Sequence, residues 1–214
     1  MTTVGREGDA AAALVATDVH KRFGALRVLR GARLAARFGE RVAIVGENGC
    51  GKSTLLRILA GAEAMDHGVV RCAATLGYAP QDATLHPHLT PDEHVDLFAA
   101  GYGLPRRTAR ARADALFDRL AFAPHRRKLV HTLSGGTRQK LNLAIALLHD
   151  PEVVLLDEPY AGLDTASYER FVAWLDEAKE RGKCVVVVTH LLLSRDRFDV
   201  LLNLHDGALH AGDR

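Results

Sequence analysis

Gly46-Glu47-Asn48-Gly49-Cys50-Gly51-Lys52-Ser53-Thr54 follows directly on the apolar run Val42 to Val45. G-x-x-x-x-G-K-[ST] between a buried strand and a helix is a phosphate-binding loop. Its glycines let main-chain N–H groups curl inward where side chains would collide. The helix opening near Lys52 aims the positive end of its dipole into the same space. In this reading Gly46, Asn48, Gly49, Cys50 and Gly51 wrap the β-phosphate of a nucleotide, and Lys52 neutralises β- and γ-oxygens. Ser53 offers a hydroxyl to Mg2+ and Thr54 donates to the α-phosphate.

Outward from this loop the pattern is that of an α/β protein. Leu14 to His20 and Leu26 to Phe38 read as antiparallel strands, ending at the Phe38-Gly39-Glu40 turn before a buried strand Arg41 to Val45. Lys52 to Ala60 is the helix behind the loop, and Val69 to Cys72 and Thr75 to Ala79 are short strands. Between Leu89 and Asp150 the pattern turns helical, opening with Thr90-Pro91-Asp92-Glu93, which carries a cap, a first-turn proline and the glutamate of a capping box. Glu152 to Leu156, Lys183 to Thr189 and Asp199 to Leu204 are Val/Leu-rich strands of the fully buried kind, with a helix from Thr165 to Arg181 between the first two. Met1 to Ala13 reads as a flexible tail. The expected fold is one mostly parallel α/β core over 14–214, with an antiparallel β subdomain and a helical insert over about 83–149.

Composition narrows the classes. With 214 residues and 48% hydrophobic content the chain can bury one substantial core, and a net charge of +2 imposes no nucleic-acid or membrane partner. Three scattered cysteines without C-x-x-C spacing argue against a disulfide framework and a zinc site, and fit a reducing cytosol. The N-terminus does not read as a signal peptide, and no stretch approaches the roughly 20 apolar residues that span a bilayer. The basic clusters Arg106-Arg107 with Arg110 and Arg112, and Arg126-Arg127-Lys128, read as a solvated helix face or one near anionic headgroups.

Two further stretches carry chemistry. Val153-Val154-Leu155-Leu156-Asp157-Glu158-Pro159 is an apolar strand that delivers two carboxylates to the crevice where α/β ligands sit. Asp157 would hold Mg2+ and Glu158 would polarise a water for in-line attack on a γ-phosphate. Leu133-Ser134-Gly135-Gly136-Thr137-Arg138-Gln139-Lys140 precedes an amphipathic run from Leu141 to Leu148, so Ser134 is a natural N-cap whose glycines expose helix-start N–H groups.

Together these motifs resemble the nucleotide-binding subunits of ATP-binding cassette (ABC) transporters, in which Leu-Ser-Gly-Gly is the signature. The resemblance runs from about Leu14 to Gly212 and implies a P-loop NTPase core that hydrolyses ATP with Mg2+. It implies that Phe23 stacks on adenine, that Gln81 is the Q-loop residue touching Mg2+ or the attacking water, and that Ala161-Gly162-Leu163-Asp164 is the D-loop. His190 becomes the switch histidine at the γ-phosphate. Family members dimerise head to tail, so Ser134, Gly135 and Gly136 would meet ATP held by a second subunit; spacing alone equally allows them to return to their own chain's edge. Tyr160, Thr137 and Ala161 depart from the commoner residues without removing a phosphate or metal ligand.

The resemblance further implies a transmembrane permease partner, a cytoplasmic site on the inner face of the membrane, and a second copy as dimer partner. The tract Leu141 to Asp150 and the short ending after Asp206-Gly207 lean towards exporters of the ABC-2 kind. The alternative is a soluble cassette ATPase acting on nucleic acid or ribosomes, whose tandem cassette, coiled-coil insertion and zinc clusters are missing; no nucleic-acid partner is expected. A small-molecule kinase or GTPase fits poorly, since no Asn-Lys-x-Asp run occurs.

Overall fold

The computed structural model describes residues 12–190 and 195–212. Most of the tail expected over 1–13 lies outside these residues; Ala12 and Ala13 already belong to the first strand, β1 (Ala12–Phe23). β1 pairs antiparallel with β2 (Leu26–Arg37) on one side and with β4 (His67–Cys72) on the other, giving a small sheet of order β2-β1-β4. A larger sheet has the order β5-β6-β7-β3-β8-β9, built from β3 (Arg41–Val45), β5 (Leu76–Ala79), β6 (Val153–Asp157), β7 (Cys184–Thr189), β8 (Val200–His205) and β9 (Ala208–Ala211). Its first five strands run parallel and β9 pairs antiparallel with β8. The β8–β9 hairpin, turning at Asp206-Gly207, was not anticipated, because β9 is short and half polar.

The continuous apolar character of β6 and β7 follows from burial on both faces. Val154, Leu156, Val185 and Val187 belong to one core cluster, while their alternating neighbours Val153, Leu155, Val186 and Val188 belong to the other. Strand periodicity of two splits each run between two cores. The first core is shared with α4 (Gly135–Leu147) and α5 (Thr165–Glu180) and extends into α2 (Pro91–Gly101) and α3 (Arg106–Arg119). The second holds α1 (Lys52–Leu59) and the inward face of the small sheet, with Leu14, Ala16 and Val19 from β1. Each of these Val and Leu side chains contributes roughly 1.5–3 kcal/mol by leaving water.

The helical insert is tied to itself by charge. α2 begins with the capping box read from the sequence: Glu93 N–H donates to Thr90 Oγ1, and the Glu93 carboxylate accepts from Thr90 N–H at 2.7 Å. Arg110 meets Asp92 at 3.1 Å and Asp96 at 2.5 Å, and Arg126 meets Asp92 at 3.0 Å and Asp114 at 2.6 Å. The expected solvated basic face is thus corrected in part: Arg106, Arg110 and Arg126 clamp α2 to α3 and to the segment after it. The run Leu141 to Leu148 is not amphipathic, since every one of its residues is buried. α4 threads between the insert and the core, and its polar Asn142 is satisfied by donating to Pro80 O at 2.7 Å.

Candidate nucleotide site

Parallel register places the chemistry-bearing residues along one edge of the large sheet. Val45 is level with Thr189, Asp157 with Val188, and Ala79 with Leu156. The loops leaving the C-terminal ends of β3, β5, β6 and β7 therefore carry Gly46 to Lys52, Gln81, Glu158 and His190 from a common edge. Ligands of parallel α/β sheets bind in the crevice beyond this edge.

The loop after β3 closes on its own backbone. Lys52, almost wholly buried, donates to Gly46 O at 2.7 Å and Glu47 O at 2.8 Å. Gly51 precedes α1 with φ 107°, a left-handed conformation, and a Cβ there would lie 2.7 Å from Val28 Cγ1. No side chain larger than hydrogen fits. α1 has no side-chain cap, so its first-turn N–H groups remain available to an anion.

Asp157 ends β6 with 2% of its surface exposed, and its Oδ1 has no hydrogen-bond partner. Burial raises its pKa, opposed by a hydrogen bond from Ser53 and reinforced by the neighbouring Glu158 charge. Tyr78, packed nearby, is pushed up to about 12, by burial first and the Asp157 charge second. A buried carboxylate oxygen with an open lone pair and a serine hydroxyl beside it are oxygen donors that suit a hard divalent cation such as Mg2+, while the nearby Lys52 ammonium suits the phosphate that would accompany it.

Glu158 follows in the left-handed region, φ 48°, which costs a non-glycine residue roughly 1 kcal/mol. Its surroundings over-determine that conformation. Its N–H donates to Val188 O at 2.9 Å, its Oε2 accepts from Thr189 Oγ1 at 2.9 Å, and its Oε1 accepts from His190 N–H at 2.7 Å. His190 Nδ1 lies 2.7 Å from the same Oε1 and, facing a carboxylate, carries its proton there. Glu158 is thus 5% exposed and oriented by three donors, whereas His190 is half open to solvent.

An open cleft of about 880 Å3 lies over the loop, lined by Gly46 to Cys50, His190, residues 26–28 of β2 and the β8–β9 hairpin. Phe23 does not line it; it is 46% exposed, with Lys21 Nζ 4.8 Å from its ring centroid, and it pairs across the hairpin with Leu26, which does. Ser134, Gly135 and Gly136 lie apart from the cleft at the start of α4, where Ser134 caps Thr137 N–H. Gly136 packs on the turn after β6: a Cβ on it would be 2.2 Å from Gly162 O. Asp164 caps α5 through Ser167 N–H at 2.8 Å and meets Lys140 at 3.5 Å. Gln81 is exposed.

Three contributors were missed in the sequence. Gln139, buried on α4, reaches Glu158 O at 3.5 Å, Asn142 fixes the backbone before Gln81, and Thr189 orients Glu158. The usable signal for the two amides was their spacing of three residues, which puts Gln139 and Asn142 on one face of α4. Among the histidines outside the cleft, His94 is buried, with Nε2 accepting from His86 N–H and Nδ1 donating to Thr90 O. Among the described residues no group of three or more His, Cys, Asp and Glu could hold a metal ion, and no helix is long and apolar enough to cross a membrane.

Loop, paired carboxylates and histidine at one sheet edge define a P-loop nucleotide-binding protein. The family model described as "ABC transporter" matches residues 29–161, and a shorter match, to an AAA domain model named for the AbiEii toxin of type IV TA systems, covers residues 129–196. The chain is 35% identical over 194 residues to the Nod factor export ATP-binding protein I of Azorhizobium caulinodans, which covers 85% of the chain and 61% of that relative. It is 38% identical over 197 residues to an Fe(3+) ions import ATP-binding protein of Rhodococcus jostii, covering 83% and 55%. Among solved structures, an ATP-binding subunit of an ABC transporter superposes with a TM-score of 0.85 at 27% identity, covering 92% of this chain and 88% of that one. A dimeric bacterial ABC transporter cassette gives 0.85 at 26%, covering 92% and 96%. The chain belongs to the ABC transporter family, and its fold is that of an ATP-binding cassette. It spans about 55 to 61% of the length of these two curated relatives.

Proposed function

We propose that the chain binds ATP at the loop after β3 and hydrolyses it to drive translocation through separate membrane subunits. The observation that carries the chemistry is the buried Asp157 Oδ1 without a partner, next to Ser53 and in the charge field of Lys52. Ser53, Asp157 and Gln81 would hold Mg2+, which when bound screens the charge of the phosphates and polarises the γ-phosphoryl group. Lys52 uses two of its three donors on the loop carbonyls, leaving one for phosphate oxygens. Of the roughly four lone-pair sites of the Glu158 carboxylate, three are taken by Thr189 and His190. The remaining one accepts a water proton as that water attacks the γ-phosphorus. His190, tethered through Nδ1, presents its outer edge to the leaving or transferring oxygens.

Phe23 sits one hairpin rung from the cleft and is assigned to adenine. Ser134, Gly135 and Gly136 lie outside their own chain's cleft, which favours their acting on ATP held by a second copy; the dimeric cassette among the structural relatives supports that arrangement. Asp164 would help seat the two copies. ATP then stabilises the closed dimer because contacts from both copies exist only there. The membrane partner and a place on the inner face of the membrane follow from the same reading. Export, the direction expected from the sequence, has the Nod factor relative in its favour and the iron-import relative against it.

The test is ATP binding and phosphate release by purified protein, with Mg2+ and with EDTA, alongside Lys52→Ala. Binding should fall at least 100-fold in the variant and release should stop in EDTA. Normal ATP affinity in Lys52→Ala, or release independent of divalent metal, would overturn the assignment.

A further inference from the structure

On the side of the molecule formed by α3, the end of α4, α5 and the start of β7, a second cavity of about 190 Å3 is lined by Arg112, Arg119, Arg181 and Lys183 with Asp150 and Glu177. Leu116, Leu147 and the chain's single tryptophan, Trp174, supply its apolar walls. Four cations face two carboxylates. Asp150 is shared between Arg181 at 2.8 Å and Lys183 at 2.7 Å, and Glu177 is engaged by Arg119 at 2.5 Å. Arg112 has no carboxylate partner among the described residues; its Nη1 makes only a long contact, 3.4 Å, to Leu148 O. Lys183 is nearly buried, and it is held by Pro151 O at 2.5 Å as well as by Asp150.

Concentrating unpaired guanidinium charge against an apolar wall is unfavourable until an anion arrives, and arginine favours oxyanions because its planar donors match their edges. The volume is below the usual range for drug-sized ligands, which limits the occupant to a few non-hydrogen atoms. We propose that this cavity is a second oxyanion site, separate from the nucleotide cleft, that takes a phosphate group, either free or as a small phosphomonoester. An anion there bridges Arg112 and Arg119 of the helical insert to Arg181 and Lys183 of the core. It thereby fastens the insert, at the end of α4 remote from Ser134, to the strand layer.

Trp174 makes the site directly observable. Its emission is followed while Mg-ADP-saturated protein is titrated with sodium phosphate or glycerol phosphate, with sodium chloride at matched ionic strength as control. Saturating ADP fills the α- and β-phosphate positions of the loop after β3, and phosphate entering the open γ position there does not depend on Arg112, so the Arg112-dependent part of the response reports the second cavity. A saturable change with phosphate, with the ester or with both, and none with chloride, is expected; which of them saturates identifies the source. Arg112→Gln, at a half-buried position of α3, should raise the half-saturation concentration at least tenfold while leaving ADP affinity and the melting curve unchanged. A response that tracks ionic strength alone, or equal half-saturation in Arg112→Gln and wild type, overturns the proposal. If Arg112→Gln lowers the melting temperature, Arg112→Lys decides, because it keeps the charge and loses the fork: a phosphate affinity equal to wild type overturns the guanidinium's role and a weakened one upholds it.

Discussion

Replacing Glu158 by glutamine tests the reaction without rebuilding the site. The amide keeps one acceptor oxygen and exchanges the other for a donor. His190 N–H needs an acceptor, so the amide oxygen stays at the Oε1 position and the NH2 turns to Thr189, whose hydroxyl reverses its role and accepts. Charge-assisted hydrogen bonds become neutral ones, at a net cost of about 1–2 kcal/mol. For a chain of this size that lowers the melting temperature by roughly 2–8 °C. Glu158→Ala instead removes the carboxylate that accepts from Thr189 and from the His190 N–H, costing about 1–3 kcal/mol where a buried donor is left unmet. The chemical consequence runs the other way in size. Loss of a positioned general base lowers turnover by about 100- to 10,000-fold, or roughly 2.7–5.5 kcal/mol of transition-state stabilisation. The assay pairs phosphate release at saturating Mg-ATP with equilibrium ATP binding, thermal unfolding of the nucleotide-free protein, and size-exclusion chromatography with Mg-ATP. The expected result is intact binding, nearly intact folding, arrested release and a trapped dimer. Turnover within about threefold of wild type would refute the role given to Glu158, and a collapse of the fold in Gln equal to that in Ala would refute the hydrogen-bond exchange.

Other outcomes follow from the same geometry. Asp157→Asn removes a buried charge whose pKa is raised mainly by desolvation, so the variant should melt higher than wild type in metal-free buffer at neutral pH, yet bind Mg-ATP at least tenfold more weakly. Asp199 is buried enough to raise its pKa, but Lys179 and the Arg41 backbone and charge overcome this and hold it below the usual carboxylate range. A depressed folded pKa gives stability that is present above the unfolded value near 3.9 and is lost as pH falls through the folded value. Asp199→Asn should therefore flatten the acid limb of a stability profile below about pH 4, measured by urea unfolding. Gly136→Ala places a methyl against Gly162 O and should cost about 1–3 kcal/mol by overpacking, read as a lowered urea midpoint with unchanged slope.

Legibility in the sequence depended on how local each feature was. The phosphate loop, the capping box at Thr90 and the buried strands β6 and β7 are written in consecutive residues, and all of them stand in the structure within a residue or two of their expected limits. Features set by distant partners were harder. Arg110 and Arg126 read as surface charge because their carboxylates, Asp92, Asp96 and Asp114, lie 12 to 34 residues away, or 14 for Arg110 with Asp96. Leu141 to Leu148 read as amphipathic, but its one polar residue, Asn142, is buried and satisfied by Pro80 O, a partner 62 residues away. Thr189 looked like a strand terminus, and only the register of β6 on β7 shows that its hydroxyl reaches Glu158.

The meeting of Gly136 with Gly162 is backbone against backbone. Where two side chains touch, a rotamer can absorb a small displacement; here neither residue has one to move. A tilt of α4 is therefore passed directly to Gly162, four residues beyond Glu158 in the turn that leads to Asp164. The cassette carries, within one chain, a stiff strut between the Ser-Gly-Gly start of α4 and the turn that follows the carboxylate pair Asp157-Glu158.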